Sequence, residues 1–311
     1  MRRSRLLTAV AATVTAAFAL TACGGGQDPL AGGGQPGSTD QDTIVVGAAN
    51  FTESQILSSV FAQALEAKGV TVQTRPPIGS REAYVPALQD GSIDLIPDYT
   101  GTLLQHLNPE ATENESEEVY TALQSTLETA APTLTVLDRA EAENKDAVVV
   151  TRETAERLNA TSIADIAPRC GELVFGGPPE FQTRPDGIPG LQQTYDCTFQ
   201  SYRSLDAGGP LTVTALRNGD VQAVDLFTTD AAIPANDFVV LADPEQNFAA
   251  QNVVPLINKE KATPEVAEAL NAVTAKLTTQ ELLGLNEAAA APEKPAVETV
   301  AKDWLTRQGL I

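Results

Sequence analysis

The sequence predicts an α/β protein built from two similar lobes. Strand-like and helix-like segments alternate over residues 43–97, which is the pattern of a parallel, doubly wound sheet. Residues 210–230 then echo residues 84–102. In each stretch a helix ends in Ala-Leu-x-(Asp/Asn)-Gly, a short apolar strand follows, and an aromatic residue and hydroxyls close the strand. A chain of 311 residues is long enough for two such lobes.

A change of hydrophobic period marks the first strand and the first helix. Residues 43–51 (TIVVGAANF) contain an apolar run that predicts a buried strand leading into a loop. Residues 52–69 place apolar side chains at helical spacing, which predicts a helix with one apolar face. Thr52 is positioned to cap this helix, and Gly69 is positioned to end it.

The alternation continues through the next three elements. Residues 70–75 are strand-like, and residues 79–91 predict a helix with Ser80 as its N-cap. Pro86 sits late in this helix, where a bend is expected. Residues 92–97 (SIDLIP) then predict another strand.

The C-terminal part of the chain is predicted to be helical. Thr263 followed by proline has the form of a helix start with proline at the first position. Residues 278–281 (TTQE) have the form of a capping box. Residues 297–309 predict a last helix with Trp304 and Leu305 on its apolar face.

The N-terminus has the features of a secretory signal. Three arginines precede an apolar run, and Leu-Thr-Ala-Cys follows, which resembles a bacterial lipobox. We therefore expect residues 1–22 to be removed and Cys23 to be acylated. The alternative is an ordinary signal peptide with a chance cysteine. Residues 23–42 are Gly-rich and predict a flexible tether, so the protein is expected outside the cytoplasm, lipid-anchored to the cell membrane.

Charge and composition disfavour several classes of protein. The net charge of −21 argues against a nucleic-acid binder and against attachment to anionic lipid by charge. His106 is the one histidine, which disfavours histidine-rich metal sites and most acid–base catalysis. The sequence has neither a Gly-x-Ser-x-Gly elbow nor a His-Glu-x-x-His motif. We expect no catalytic residue, metal or cofactor; a hydrolase using two of the 41 acids is the competing hypothesis.

Two cysteines remain after Cys23. In an oxidising compartment Cys170 and Cys197 are expected to form a disulfide. A metal site built on these two cysteines is the alternative.

The ends of the two echoed strands are candidate ligand contacts. Ligands of open α/β sheets bind at the carboxyl ends of strands. Tyr99 and Phe227 would offer aromatic faces there, and Thr102 and Thr229 would offer hydroxyl donors. Gly101 would let a ligand approach the backbone. This chemistry suits a small solute with a cation at one end and an anion at the other; the alternative is that both aromatics only pack at strand ends.

Several segments together resemble the substrate-binding proteins of osmoprotectant ABC transporters, of the glycine betaine, choline and carnitine type. The resemblance covers about residues 43–311. Residues 87–102 carry the most specific motif, Ile-Pro-Asp-Tyr-Thr-Gly-Thr where the family usually has Tyr-Pro-Glu-Tyr-Thr-Gly-Thr. The other similar segments are VVGAANFTESQIL (45–57), PEFQTRPDGIPGLQQTY (179–195), DLFTTDAAI (225–233), NVVPLI (252–257) and DWLTRQGL (303–310).

The resemblance implies a periplasmic-binding-protein-like fold of type II, with a ligand cleft between two α/β lobes. Lobe I would comprise residues 43–145 and 238–311, and lobe II residues 146–237. The protein would capture glycine betaine, choline or carnitine and deliver it to an ABC permease, acting as a monomer.

The resemblance also assigns roles to individual residues. Tyr99 would be a tyrosine of an aromatic cage around a quaternary ammonium. Thr102 would donate to the ligand carboxylate, and Arg184 would pair with that carboxylate from the second lobe. Asn50 is a further candidate contact, as are Phe227 and Thr229.

Departures from the family pattern leave the ligand open. Asp146 stands where a cage tyrosine is usual, and Phe227 also replaces a tyrosine. Ala49 replaces a longer polar residue, and Val213 lies where another tyrosine is common. Asp146 either pairs with a cation directly or is a solvated hinge residue. Because the cage is incomplete, an amino acid, a polyamine or an aromatic compound is the alternative ligand, serving uptake or sensing.

Overall fold

The computed structural model describes residues 43–311, and the strands of this part form two five-stranded sheets. The predicted signal (1–22), Cys23 and the tether (23–42) lie outside the described residues. The strands are β1 (Thr43–Val46), β2 (Thr71–Thr74), β3 (Leu95–Tyr99), β4 (Leu134–Val136), β5 (Asp146–Thr151), β6 (Val174–Gly177), β7 (Ser201–Ser204), β8 (Ala223–Phe227), β9 (Phe238–Val240) and β10 (Val253–Asn258).

Helices connect the strands and close the chain. They are α1 (Thr52–Ala67), α2 (Arg81–Gln89), α3 (Thr100–Leu107), α4 (Ser116–Ala130), α5 (Arg152–Leu158), α6 (Ile163–Ile166), α7 (Ile188–Tyr195), α8 (Pro210–Arg217), α9 (Ala232–Ala235), α10 (Pro264–Thr274), α11 (Thr279–Ala289) and α12 (Val297–Gln308). None of these helices is long and apolar enough to cross a membrane.

The two sheets have the same topology. Their orders are β2-β1-β3-β10-β4 and β7-β6-β8-β5-β9, so β3 and β8 hold equivalent third positions. Each is preceded by its own helix, α2 or α8. The echo between residues 84–102 and 210–230 therefore reflects a structural repeat, and the expected fold of two α/β lobes is confirmed.

The expectation of parallel sheets is correct for only part of each sheet. Four strands of each sheet run in the same direction and one runs against them: β10 pairs antiparallel with β3 and β4, and β5 pairs antiparallel with β8 and β9. β5 is the first strand after the chain leaves the first lobe, and β10 is the strand formed on its return. Each therefore enters its sheet from the crossover, rather than through the strand–helix–strand unit that forces parallel pairing.

The chain returns to the first lobe later than the predicted boundary at residue 238. Phe238 pairs with Thr151, and Val240 pairs with Val149, so β9 covers an edge of the second sheet. Phe248 also packs in the core of the second lobe. The boundary is shifted because β9 supplies the hydrogen-bonded partner strand on the side of β5 that faces away from β8. The rest of the predicted division stays a prediction.

Helix ends show which local signals the chain uses. Phe51 holds the N-cap position of α1, so the expected cap by Thr52 is wrong, whereas Gly69 has a φ of +85° just after the helix end. Ser80 is at the N-cap of α2 but makes no capping bond there. The Thr278 side chain accepts from Glu281 N as predicted. The Glu281 carboxylate instead accepts from Trp304 Nε1 at 2.8 Å.

The C-terminal helices cover the first lobe's opening helix. Trp304 and Leu305 of α12 are fully buried in one core cluster with Phe61 of α1. In the second lobe Cys170 and Cys197 form the expected disulfide, with Cα atoms 5.4 Å apart. Since the two sulfurs are bonded to each other, the alternative of a two-cysteine metal site does not hold in this structure.

Candidate functional site

A cleft that is partly open to solvent lies between the two lobes where β3 and β8 end. Six of the seven ligand-binding residues predicted from the sequence line it: Asn50, Tyr99, Thr102, Asp146, Arg184 and Phe227. The equivalent positions of β3 and β8 explain this meeting, because both strands direct their carboxyl ends to the cleft.

Three aromatic rings form a wall of the cleft. Phe51 lies with its ring centroid 6.1 Å from that of Tyr99 and 5.0 Å from that of Phe227. The buried ring of Tyr84 on α2 also lines the cleft. Phe51 was not among the predicted site residues, although it follows β1 just as Tyr99 closes β3. The aromatic wall, defined here as Phe51, Tyr99 and Phe227, offers π faces to a cation.

Tyr99 presents its ring to the cleft while its hydroxyl is engaged behind it. The hydroxyl donates to Glu53 Oε1 at 2.5 Å. Burial, with the Glu53 charge and hydrogen bond, raises the pKa of Tyr99 well above its ordinary value. The phenol therefore stays neutral at physiological pH, and its contribution to a ligand is its face.

Glu53 joins both lobes behind the aromatic wall. Its carboxylate accepts from the Tyr99 hydroxyl (2.5 Å), Asn144 Nδ2 (2.7 Å), the Thr229 hydroxyl (2.6 Å) and Asn286 Nδ2 (2.5 Å). Burial raises the pKa of Glu53, and these four hydrogen bonds act in the opposite direction. Four hydrogen-bond donors from distant parts of the chain offset the cost of burying the Glu53 carboxylate.

Thr229 is the predicted site residue that does not line the cleft. It is buried, and its hydroxyl is used by Glu53. The strand-end rule placed Thr229 correctly near the cleft, but the local turn directs it towards α1. The Glu53 cluster was missed from the sequence, because a lone glutamate in a first helical turn is also an ordinary favourable helix-end charge.

Two hydrogen bonds with Gln251, a residue distant in sequence, orient Thr102. Gln251 Oε1 accepts from Thr102 N at 3.0 Å, and Gln251 Nε2 donates to Thr102 Oγ1. Since the Thr102 oxygen accepts this bond, its own O–H can point elsewhere. Thr102 is thus arranged as a donor in the first turn of α3.

Arg184 reaches across the cleft from the second lobe. Its Nη2 and Nε lie 3.3 Å and 3.4 Å from the carboxylate oxygens of Glu82 on α2. Burial alone raises the pKa of Glu82, but hydrogen bonds from Ser80 and its own backbone, together with Arg184, lower it to about 2. In this structure Arg184 therefore holds the lobes together through a carboxylate of the protein.

A second arginine lines the cleft from the first lobe. Arg81 Nη2 donates to Asp98 Oδ1 at 2.6 Å, and both side chains are buried. Asp98 is the acid of the Ile-Pro-Asp-Tyr-Thr-Gly-Thr motif, so the acid at the end of β3 binds Arg81. Burial lowers the pKa of Arg81 and the Asp98 charge raises it, with a net rise. The sequence alone did not predict this pair, because its partners come from two different elements, α2 and β3.

Asp146 and Asp225 place two carboxyl groups on the second lobe's side of the cleft. Asp146 lies opposite Phe227 in the antiparallel pairing of β5 and β8, and Asp225 lies two residues before Phe227. Burial raises the pKa of both groups, with the neighbouring carboxyls raising that of Asp225 further. Asp146 thus lines the cleft at the start of a strand, which favours the cation-pairing hypothesis over a solvated hinge.

Two further departures from the family pattern, Ala49 and Val213, add no aromatic ring to the cleft. Ala49 lines the cleft, and its backbone N–H donates to the Ser54 hydroxyl at 2.9 Å. Val213 lies in a neighbouring depression. Tyr202 packs against Phe175 in the second lobe. No group of histidine, cysteine or acidic side chains arranged for a metal ion occurs within residues 43–311.

Comparisons with known proteins agree with this architecture. Residues 42–307 match the family described as the substrate binding domain of ABC-type glycine betaine transport systems. A glycine-betaine-binding protein of Pseudomonas aeruginosa is 29% identical over 288 residues, covering 88% of this chain and 91% of that protein. A carnitine transport binding protein of Listeria monocytogenes is 28% identical over 278 residues, covering 87% of this chain and 88% of that protein.

A solved structure shares the fold. The crystal structure titled as a glycine betaine/carnitine/choline ABC transporter has a TM-score of 0.68 and 25% identity. The alignment covers 86% of this chain and 99% of that chain. The resemblance inferred from the sequence motifs is thereby confirmed.

Proposed function

Because the chain belongs to the family of substrate-binding domains of ABC-type glycine betaine transport systems, we propose that it captures a small osmoprotectant such as glycine betaine, choline or carnitine. It would do so outside the cytoplasm and deliver the solute to a membrane permease. The observation that carries the proposal is that the aromatic wall, Arg184 and Thr102 line one cleft.

The geometry suggests how a zwitterion would bind. Its ammonium end would lie against Tyr99 and Phe227, where each aromatic face contributes about 0.5–2 kcal/mol. Its carboxylate would accept from Arg184 and from the Thr102 hydroxyl. Since Arg184 is paired with Glu82 in this structure, the carboxylate would take the place of Glu82 or share the guanidinium with it. Ligand contacts from both lobes would favour the closed arrangement.

We further propose that Cys23 carries a lipid and that residues 24–42 act as the tether. As a flexible coil this segment would reach on the order of 25 Å from the membrane. The protein would act as a monomer that docks on its permease in the ligand-bound, closed form. The proteins compared above are transport proteins, and we propose no catalytic step for this chain.

Calorimetric titration of purified protein beginning at residue 24 tests the proposed function. Glycine betaine, proline betaine, carnitine and choline are the ligands to titrate. We expect binding of at least one with a Kd on the order of micromolar, about −8 kcal/mol. Absence of heat for all four, with the protein folded by circular dichroism, would contradict an osmoprotectant as the ligand.

A further inference from the structure

The cleft contains more carboxyl groups than its cationic side chains can pair. Arg81 is paired with Asp98, and Arg184 is paired with Glu82. Asp146 and Asp225 line the same cleft, and neither has a lysine, arginine or histidine nitrogen within 4 Å among the described residues. Among the described residues, the second lobe's side of the cleft therefore presents two carboxyl groups that form no ion pair with the protein.

One oxygen of this pair also lacks a hydrogen-bond donor. Asp225 is 2% exposed, and its Oδ1 has no N–H or hydroxyl of the described residues within hydrogen-bond distance. The hydroxyl of Tyr202, on the neighbouring part of the sheet, donates to the Pro178 carbonyl at 2.6 Å instead. Asp146, the nearest carboxyl on β5, has no donor proton when ionised. A buried acceptor of this kind is normally satisfied, and here a bound molecule can satisfy it.

We propose that the cleft selects a cation that carries N–H donors, such as a protonated amine or a guanidinium, over a fully methylated ammonium, through Asp225 and Asp146. This inference rests on the proposed function as a solute-binding protein, and it makes analogues that carry an N–H preferred ligands over the fully methylated glycine betaine, choline and carnitine. The N–H group would donate to Asp225 Oδ1, and the rest of the cation would lie against the aromatic wall.

The physical basis is the difference between the two kinds of cation. A trimethylammonium has no N–H, so it would satisfy the charge of the pair but leave the buried oxygen without a donor. An unmet buried acceptor and a gained charge-assisted bond each correspond to roughly 5- to 150-fold in affinity. We therefore expect a preference of about tenfold or more for the N–H form of the same molecule.

The protonation of the pair supports the inference. Burial and the charges of Asp146 and Asp186 raise the pKa of Asp225, while Arg184 lowers it. Asp146 itself faces Arg184 and Arg81. Raised pKa values favour protonation of the pair, and a cation with N–H donors would compete with that proton for the same oxygens.

Matched ligand pairs test the selection directly. Glycine betaine and N,N-dimethylglycine differ by one methyl group in place of N–H, as do choline and N,N-dimethylethanolamine, and both amines are protonated at neutral pH. Arginine and putrescine serve as N–H cations with unrelated skeletons. Each is titrated by calorimetry into the wild-type protein, Asp225→Asn and Asp146→Asn. Asp196→Asn, an exposed aspartate of the same lobe, is the matched control.

The proposal predicts that the N–H member of each pair binds about tenfold or more tightly to the wild type and to Asp196→Asn. The preference should disappear in Asp225→Asn. If Asp225→Asn does not fold, Asp146→Asn and the wild-type ratios carry the test. Equal or tighter binding of the methylated members would overturn the proposal and leave the osmoprotectant function intact. A preference unchanged in both folded variants would also overturn it.

The remaining outcomes separate the two proposals. Binding of arginine or putrescine alone, weakened in Asp225→Asn, would support the N–H selection and contradict an osmoprotectant ligand. Absence of binding by all six ligands to the folded wild type would contradict both.

Discussion

The strands β3 and β8 occupy equivalent places in the two lobes, yet their acids serve different purposes. On β3, Asp98 is adjacent to the aromatic residue Tyr99, whereas on β8, Asp225 lies two positions before Phe227. Side chains alternate between the two faces of a strand, so Asp98 points away from the face of Tyr99, and Asp225 shares the face of Phe227.

This one-residue offset gives the two acids different surroundings. Asp98 meets Arg81 on α2 and forms a buried ion pair. Asp225 lines the cleft near Asp146 and forms no ion pair with a cationic side chain of residues 43–311. One lobe therefore contains a neutralised pair that supports the fold, and the other contains acid that a ligand can use.

The largest expected effect comes from breaking the pair of the first lobe. Arg81→Ala leaves Asp98 buried without its counter-charge and should lower the free energy of unfolding by about 3–5 kcal/mol. Urea denaturation measures this. Arg203→Ala is the control in the second lobe, where half-exposed Arg203 pairs with Asp220 at 3.4 Å. The control should change stability by about 1 kcal/mol or less; similar losses for both would show that the Arg81 pair is not special.

Two substitutions of Tyr99 distinguish the role of its ring from the role of its hydroxyl. Tyr99→Ala should weaken a quaternary-ammonium ligand by about tenfold, because the cation loses a π face. Tyr99→Phe keeps the face and removes one of four donors to Glu53, so affinity should be nearly retained while stability falls by about 1–3 kcal/mol. Calorimetry and urea denaturation report the two quantities separately. A loss of affinity in Tyr99→Phe equal to that in Tyr99→Ala would mean that the hydroxyl, not the face, matters for binding.

The interlobe pair tests the assignment of Arg184. Arg184→Ala should weaken glycine betaine or carnitine more than choline, since choline has no carboxylate. Glu82→Gln frees Arg184 and should strengthen carboxylate ligands by a few-fold relative to choline, about 0.5–1 kcal/mol. The measurement is the ratio of Kd values within each variant. Equal changes for choline and the carboxylate ligands would remove Arg184 from the carboxylate site.

The pH dependence of stability tests a buried acid of the second lobe. Burial and the charge of Asp146 raise the pKa of Asp186 from 3.8 to about 6, while Arg184 and Arg81 oppose this rise. Between about pH 4 and 6 the folded state therefore binds more protons than the unfolded state, so this contribution is present at the lower pH and lost as pH rises. Melting temperatures of the ligand-free protein over this interval should show a negative slope from this group. Asp186→Asn should remove part of that slope, and an unchanged slope would contradict the assignment.

Local patterns predicted most of the fold and part of the site. The strand and helix periods place β1 to β3 and α1 to α2 close to where the structure has them. The strand-end rule identified Tyr99 and Phe227, and the same rule applied to β1 would have added Phe51. These predictions succeed because hydrophobic period and strand–helix alternation depend on residues close in sequence.

Contacts between residues that are distant in sequence could not be predicted from those local patterns. The four donors to Glu53 lie 46, 91, 176 and 233 positions away along the chain. Phe238 was assigned to the wrong lobe because a strand of three residues carries too short a pattern to show which sheet it will join. The roles of Thr229 and Arg81 likewise depend on partners that no local pattern names.

The sequence by itself determined the two-lobed α/β architecture, the disulfide, the family, and the placement of Tyr99 and Phe227 at the cleft. The tertiary structure decided which polar atom meets which partner: Asp98 Oδ1 meets Arg81, Glu53 meets four donors, Arg184 meets Glu82, and Asp225 Oδ1 meets no donor among residues 43–311. The physical reason is that apolar periodicity is a local property of the chain, whereas the pairing of a buried charge depends on how the fold brings different elements, and in part the two lobes, together.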